Sequence, residues 1–208
     1  FLSLEMIWPD NKLLSAYVLS PRLGQISANL LEVSAVRLYH DNVLAKQSGC
    51  GRTPWHFDDH HFPLDTNDVV TAWAPAQPTP IEMGPLSFAY PLDVHELIKD
   101  VTFEKTGTGY DREVSNIFSK NNVSVNATPF ELGEVSFHHN LNFHTASSNR
   151  TNCSRIALAN TYYRDGARVI NSPTMVSGDW QKFMPNVKPG DIAASPLNPI
   201  CWPVKSEI

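Results

Sequence analysis

The chain has 208 residues, 42% apolar and 18% charged, which suits one domain with its own core and excludes a disordered polymer. It carries 16 basic and 21 acidic side chains, a net charge of −5, and no basic run, so a nucleic-acid partner is not expected. No apolar stretch is long enough to span a membrane, no leader peptide is visible, and the start at Phe1 implies further N-terminal chain.

In chain order, residues 10–31 space their apolar side chains as helices do, and Pro21 must break or restart the helix. A helical N-terminal segment is therefore predicted over about 1–32. The stretch EVSAVRLYHDNVLAKQ reads as strand, SGCGRTP as a turn-rich loop, WHFDDHHF as strand-like and DVVTAWAPA as a strand. After a turn at Gly84 a short strand runs through Leu86 and Phe88, and VHELIKD is a short helix candidate. Residues 104–127 are polar and rich in Gly, Asn and Ser; they are predicted as a surface excursion and a possible lid. GEVSFHHNLNFHTAS and SRIALANTYYR form two strands around the polar turn SNRTN. The 16 prolines and 10 glycines favour short strands over long helices. The expectation is an all-β core with flanking helices, a jelly roll over about 33–204, in a single domain spanning 1–208.

Three cysteines, Cys50, Cys153 and Cys201, lie far apart without a CxxC, which favours a reduced, intracellular (cytoplasmic) protein. N-x-S/T sequons at Asn122, Asn126, Asn149 and Asn152 would matter only in a secreted chain.

The chemistry concentrates in PWHFDDHHFP, residues 54–63. On a strand, His56 and Asp58 would project from one face with Cα atoms roughly 6.5 Å apart, close enough to share one metal ion. Two histidines and one carboxylate on one face of an octahedral metal form the triad of non-haem Fe(II) oxygenases. The remaining ligand is sought among His138, His139 and His144. His144 is favoured because Arg155 follows eleven residues later, and a hairpin at SNRTN would set its guanidinium beside the metal. Fe(II), Asp58, a 2-oxo dicarboxylate and Arg155 together make a neutral cluster, which a buried site tolerates best, and arginine suits a bidentate grip on a carboxylate. His60 shares the strand parity of His56. With Arg37 and His139 it is a candidate for the substrate side of the pocket, while Asp59 and His61 are expected to point away.

Four segments carry a resemblance: VLAKQSGCGRTPWHFDDHHFPL, DVVTAW, EMGPLSFAYP and FHTASSNRTNCSRIALANTYY. Together they cover roughly residues 33–166 and resemble, in order, the phytanoyl-CoA dioxygenase family of iron- and 2-oxoglutarate-dependent oxygenases. The resemblance implies a double-stranded β-helix of cupin-like form, with Fe(II) on His56, Asp58 and His144, the far carboxylate of 2-oxoglutarate on Arg155, and Trp73 bordering the cosubstrate. Ala146 stands where relatives often place a serine that helps grip the cosubstrate, so the flanking Ser147 becomes the candidate hydroxyl. Halogenating relatives lack the carboxylate ligand; Asp58 is present, which favours hydroxylation with O2, with release of succinate and CO2, over chlorination, and leaves desaturation, cyclisation and epoxidation open. A non-catalytic jelly-roll binding protein and a zinc-dependent hydrolase or isomerase are the competing expectations. The partner is a small-molecule substrate whose identity the sequence does not select, nor does it select an oligomeric state.

Overall fold

The structure, a computed structural model, describes residues 1–104, 108–173 and 178–203. Its described residues form two antiparallel sheets with helices packed outside them. The larger sheet runs β1 (Leu2–Glu5), β2 (Val36–Lys46), β9 (Arg155–Arg164), β4 (Val69–Pro75), β7 (Ser136–His139), with β10 (Ile200–Trp202) also on β2. The smaller runs β3 (Thr53–His56), β8 (His144–Ala146), β5 (Leu86–Tyr90), β6 (Ser124–Ala127). This is the expected jelly roll, and its functional cavity lies between the sheets.

The N-terminal helices cover the outer face of the larger sheet. Asn11 caps α1 (Lys12–Val18) by accepting from the amides of Leu13 and Leu14, each at 3.1 Å. Pro21 restarts the chain as α2 (Pro21–Leu30), at a first-turn position where no amide donor is needed. Leu23 and Ala28 then bury against Val36, Leu38, Val70 and Tyr162, whose hydroxyl donates to the Val18 carbonyl at 2.7 Å. The segment before Trp8 departs from expectation. Leu2–Glu5 is a strand on the β2 edge, and the alternation of Leu2 and Leu4 with Ser3 and Glu5 is its signature.

The longest pairing, β2 on β9, sets the cavity wall. A register shift between Leu38 and His40 leaves His40, Asn42 and Leu44 facing the interior, and pairs Lys46 with Arg155 at the far end. Within β4, Val70 and Ala72 pack under the helices while Thr71 and Trp73 face the cavity.

Residues 104–127 are not a loop excursion. Residues 105–107 of this predicted lid lie outside the described residues. Thereafter α4 (Gly109–Asn121) buries Tyr110, Val114 and Phe118 beside Ile98 of α3 (Val94–Ile98) and against Phe143, and β6 pairs with β5. The spacing 110, 114, 118 is a helical stripe that the polar composition around it obscures. Trp55 stacks on Phe143 (centroids 5.6 Å, 10° between planes), and Phe118 meets it edge-on at 5.1 Å. The helix thus buttresses the strand that carries His56, and none of its described residues lines the cavity.

Strands β8 and β9 do not form the predicted hairpin, because they belong to different sheets. Their connection is held by Asn149, whose amide donates to the carbonyls of Lys46 (2.9 Å) and Cys153 (2.8 Å) and whose oxygen accepts from Thr151. Asn149 is buried with its amide in use, so its sequon offers no acceptor for a glycan.

Gly84 turns the chain into β5 with φ +74°, and its carbonyl accepts from the Arg155 guanidinium at 2.6 Å. A Cβ there would stand 2.3 Å from the Ser147 carbonyl oxygen. Gly84→Ala is expected to destabilise the protein by about 1–3 kcal/mol from backbone strain alone, and to shift the Arg155 anchor. Chemical denaturation of the two proteins measures it.

Candidate metal centre

His56 ends β3, and His144 opens β8 directly across from it in register. Their rings lie 4.2 Å apart, centroid to centroid. Asp58 reaches them differently from the strand-parity argument. It has left the strand for a helical conformation (φ −85°, ψ −15°), at the mouth of a 3-10 turn over Asp59–His61. Asn140 pins that turn: its carbonyl accepts from the amides of Asp58 (2.8 Å) and Asp59 (3.2 Å), and its side-chain amide donates to Asp59 at 2.8 Å. Asp58 Oδ1 then lies 3.7 Å from His56 Nε2 and 3.8 Å from His144 Nε2.

Two donors bound to one ion at about 2 Å each cannot be more than about 4 Å apart, and both pairs meet that limit. All three donor atoms lie within 4.8 Å of one another. The tautomers fit as well. Nδ1 of His56 is 2.8 Å from the Pro54 carbonyl, and Nδ1 of His144 is 2.9 Å from the Asn142 carbonyl. Each carbonyl accepts only if Nδ1 carries the proton, which leaves the Nε2 lone pair for a cation.

Electrostatics agree with this. Burial alone would raise the pKa of Asp58, but the imidazoles of His144, His138 and His56 hold it well below the usual carboxylate range. Burial pushes His144 down to about 3 and also lowers His56. At neutral pH the carboxylate of Asp58 faces the neutral imidazoles of His56 and His144, the protonation state a divalent cation requires.

The centre lines a cavity of about 580 Å³ that runs between the sheets. At its inner end sits Arg155, 2% exposed, with its guanidinium carbon 5.2 Å from the Trp73 ring centroid. Arg155 Nε and Trp73 Nε1 are buried with no hydrogen-bond partner among the described residues. Lys46 lies fully buried beside Arg155. It donates to the carbonyls of Ala146 (3.2 Å) and Ser147 (2.7 Å), and neither cation has a carboxylate partner among the described residues. Burial, then the Arg155 charge, draws the Lys46 pKa down to about 8; burial draws Arg155 to about 10. The neutral cluster of Fe(II), Asp58, a dicarboxylate and Arg155 expected from the sequence leaves out the buried charge of Lys46.

Four expected site residues lie elsewhere. Arg37 pairs with Asp165 and donates to the Asn198 carbonyl at 2.8 Å, and it does not line the cavity. His60 packs on Phe57 (4.3 Å) in a separate surface pocket, and His61 lines the cavity in its place, because a 3-10 turn, not a strand, follows Asp58. His139 points out of the sheet and His138 points in, since His138 is the register partner of inward-facing Thr71. Ser147 contributes its backbone carbonyl to Lys46, and Ala146 lines the wall. His138, a ligand candidate passed over for His144, faces inward opposite Thr71, and Lys46, which the sequence did not single out, shares strand parity with His40, Asn42 and Leu44.

His40, inside the cavity, lies 4.7 Å from the Phe183 ring and is lowered by burial from 6.5 to about 4. Its proton is bound in the unfolded chain below pH 6.5 and not in the fold until about pH 4, so its contribution to stability is lost as pH falls through that window. His40→Phe is expected to flatten the dependence of Tm on pH between 6.5 and 4 in metal-free protein, with one proton fewer taken up on unfolding.

The family model for phytanoyl-CoA dioxygenase (PhyH) matches residues 10–157, which include His56, Asp58, His144 and Arg155. The chain belongs to the phytanoyl-CoA dioxygenase family. Like that family it is a non-haem, oxygenase-type enzyme that depends on iron, 2-oxoglutarate and O2. Among curated proteins no sequence matches. Among solved structures, it is similar to the alpha ketoglutarate dependent carbocyclase SnoK from nogalamycin biosynthesis (TM-score 0.75, 23% identity, 95% of this chain and 74% of that one). It is similar also to the epimerase SnoN in complex with Fe3+, alpha ketoglutarate and nogalamycin RO (0.74, 18%, 96% and 77%). EctD from S. alaskensis with 2-oxoglutarate and 5-hydroxyectoine gives 0.66, 13%, 93% and 67%. At these identities the likeness establishes the shared fold. Among the described residues of this phytanoyl-CoA dioxygenase family member, no helix is long and apolar enough to cross a membrane, and Cys50, Cys153 and Cys201 are unpaired.

Proposed function

We propose that this enzyme hydroxylates, or otherwise oxidises, an unactivated C–H bond of a small molecule, with His56, Asp58 and His144 holding Fe(II) and Arg155 holding the distal carboxylate of 2-oxoglutarate. The observation that carries it is the pairing, in one cavity, of two Nδ1-locked histidines and an ionised aspartate with a buried arginine that has no carboxylate partner among the described residues. When bound, iron would let O2 supply the oxidising power, one oxygen atom going to 2-oxoglutarate as it is decarboxylated to succinate and CO2 and the other serving to oxidise the substrate.

The chain's own residues do the rest. His56 and His144 present Nε2 from facing strands of a sheet, a rigid mount. Asp58 brings a compensating negative charge on a turn that Asn140 clamps. The Arg155 fork selects a carboxylate over a neutral group and fixes the cosubstrate's far end, with the Trp73 ring centroid 5.2 Å from the guanidinium carbon. The other end of the cavity is mixed. Phe62 and Phe183 exclude water from it, while Asn42 and the Thr71–Thr161 hydroxyl pair (3.0 Å) can bind polar groups of a substrate.

The test is anaerobic addition of Fe(II) and 2-oxoglutarate, followed by air and a metabolite library. A weak visible absorption band, and then succinate release stimulated by one class of metabolite, is the expected result. Folded protein that gives neither band nor succinate overturns the proposal.

A further inference from the structure

The two oxygens of Asp58 face different neighbours. Oδ1 lies toward His56 and His144, at 3.7 and 3.8 Å, while Oδ2 lies 3.4 Å from Nε2 of His138. We propose that His138 is a positioning residue of the metal centre, a donor that holds Asp58 by the oxygen turned away from the metal-binding histidines. The inference rests on the metal reading under Proposed function.

His138 is built to stay in place. β7 carries it inward opposite Thr71, it is 4% exposed, and its ring is packed 4.6 Å from His144 and 5.4 Å from Phe88. Its tautomer differs from that of its neighbours. His56 and His144 each place Nδ1 against a backbone carbonyl, which keeps Nε2 free of hydrogen. His138 Nδ1 is buried with no partner among the described residues. A proton there would have no acceptor, whereas a proton on Nε2 faces Asp58 Oδ2. Three imidazoles around one carboxylate thus divide into two lone-pair donors for a cation and one N–H donor for the carboxylate. The separation of 3.4 Å is a few tenths of an ångström above a formed N–H···O bond, a gap that commonly closes when a site is loaded.

The role has a chemical purpose. A carboxylate free to rotate can turn both oxygens to a metal and use up a coordination position. Asp58 tied at Oδ2 can offer only Oδ1. His138 thereby protects the position that cosubstrate or O2 needs, without being a ligand itself.

His138→Leu and His138→Phe remove the donor, and His138→Gln keeps an amide donor in its place. Fe(II) affinity is measured anaerobically by competition with a chelator, the Fe(II)–2-oxoglutarate band by absorption, and the fold by thermal unfolding. The expected result is a loss of Fe(II) affinity of about 10- to 100-fold in the Leu and Phe variants, with a shifted band, and recovery of most of both in the Gln variant. Wild-type affinity in either donor-less variant assigns His138 to packing alone and overturns the proposal. Complete loss of metal in the Gln variant, as severe as in Asp58→Ala, makes His138 a ligand and overturns it equally. If the wild type itself binds no Fe(II), the metal reading fails and this inference falls with it.

Discussion

Asp58→Ala is expected to leave a folded protein that no longer binds Fe(II). Losing an outer-shell partner of a metal already costs about 10- to 100-fold in affinity, so losing a ligand is expected to cost more than about 100-fold and to abolish succinate formation. The metal-free fold is weakened as well. The imidazoles of His144, His138 and His56 hold the Asp58 carboxyl well below the usual carboxylate range, so its ionised form contributes stability at neutral pH. Its removal is expected to lower the metal-free Tm. The discriminating measurement is thermal unfolding with and without Fe(II): the wild type gains stability with metal by mass action, and the variant does not. A variant whose Tm still rises with Fe(II) as the wild type's does would remove Asp58 from the metal centre.

Arg155→Leu is expected to spare iron binding and destroy cosubstrate binding. Truncating one side of a buried, hydrogen-bonded charge pair costs about 2–5 kcal/mol, so the Kd for 2-oxoglutarate is expected to rise roughly 30- to 5,000-fold. Arg155→Lys restores only part of this, because a point charge cannot reproduce the planar fork or its stacking on Trp73. Isothermal titration under anaerobic conditions, with Fe(II) held saturating, reads the effect. Unchanged 2-oxoglutarate affinity in the leucine variant would remove Arg155 from the cosubstrate site.

The sequence showed the chemistry of this centre better than its geometry. His56, Asp58 and His144 could be chosen because two imidazoles, a carboxylate and a downstream arginine are a recognisable donor set. The strand parity used to align them fails after His56, where the chain enters a 3-10 turn, and the same failure exchanges His60 for His61. Nor did SNRTN close a hairpin: β8 and β9 pair with other strands, and Arg155 reaches the cavity from the opposite sheet. Which of His138 and His139 turns inward depends on register against Thr71, a long-range pairing invisible to local pattern. The helix α4 was masked for the opposite reason, since only three buried side chains mark it within a polar stretch. Lys46 escaped notice because a lysine closing a strand ordinarily reaches solvent. Here the same alternation that turns His40, Asn42 and Leu44 inward carries it into the protein.

That lysine adds a second positive charge behind the Arg155 end of the cavity. Two cations sit on paired backbones, dry and without a counter-anion among the described residues. A dianion gripped by Arg155, as proposed, would offset both charges. The fold is therefore expected to melt at a higher temperature with 2-oxoglutarate than without it.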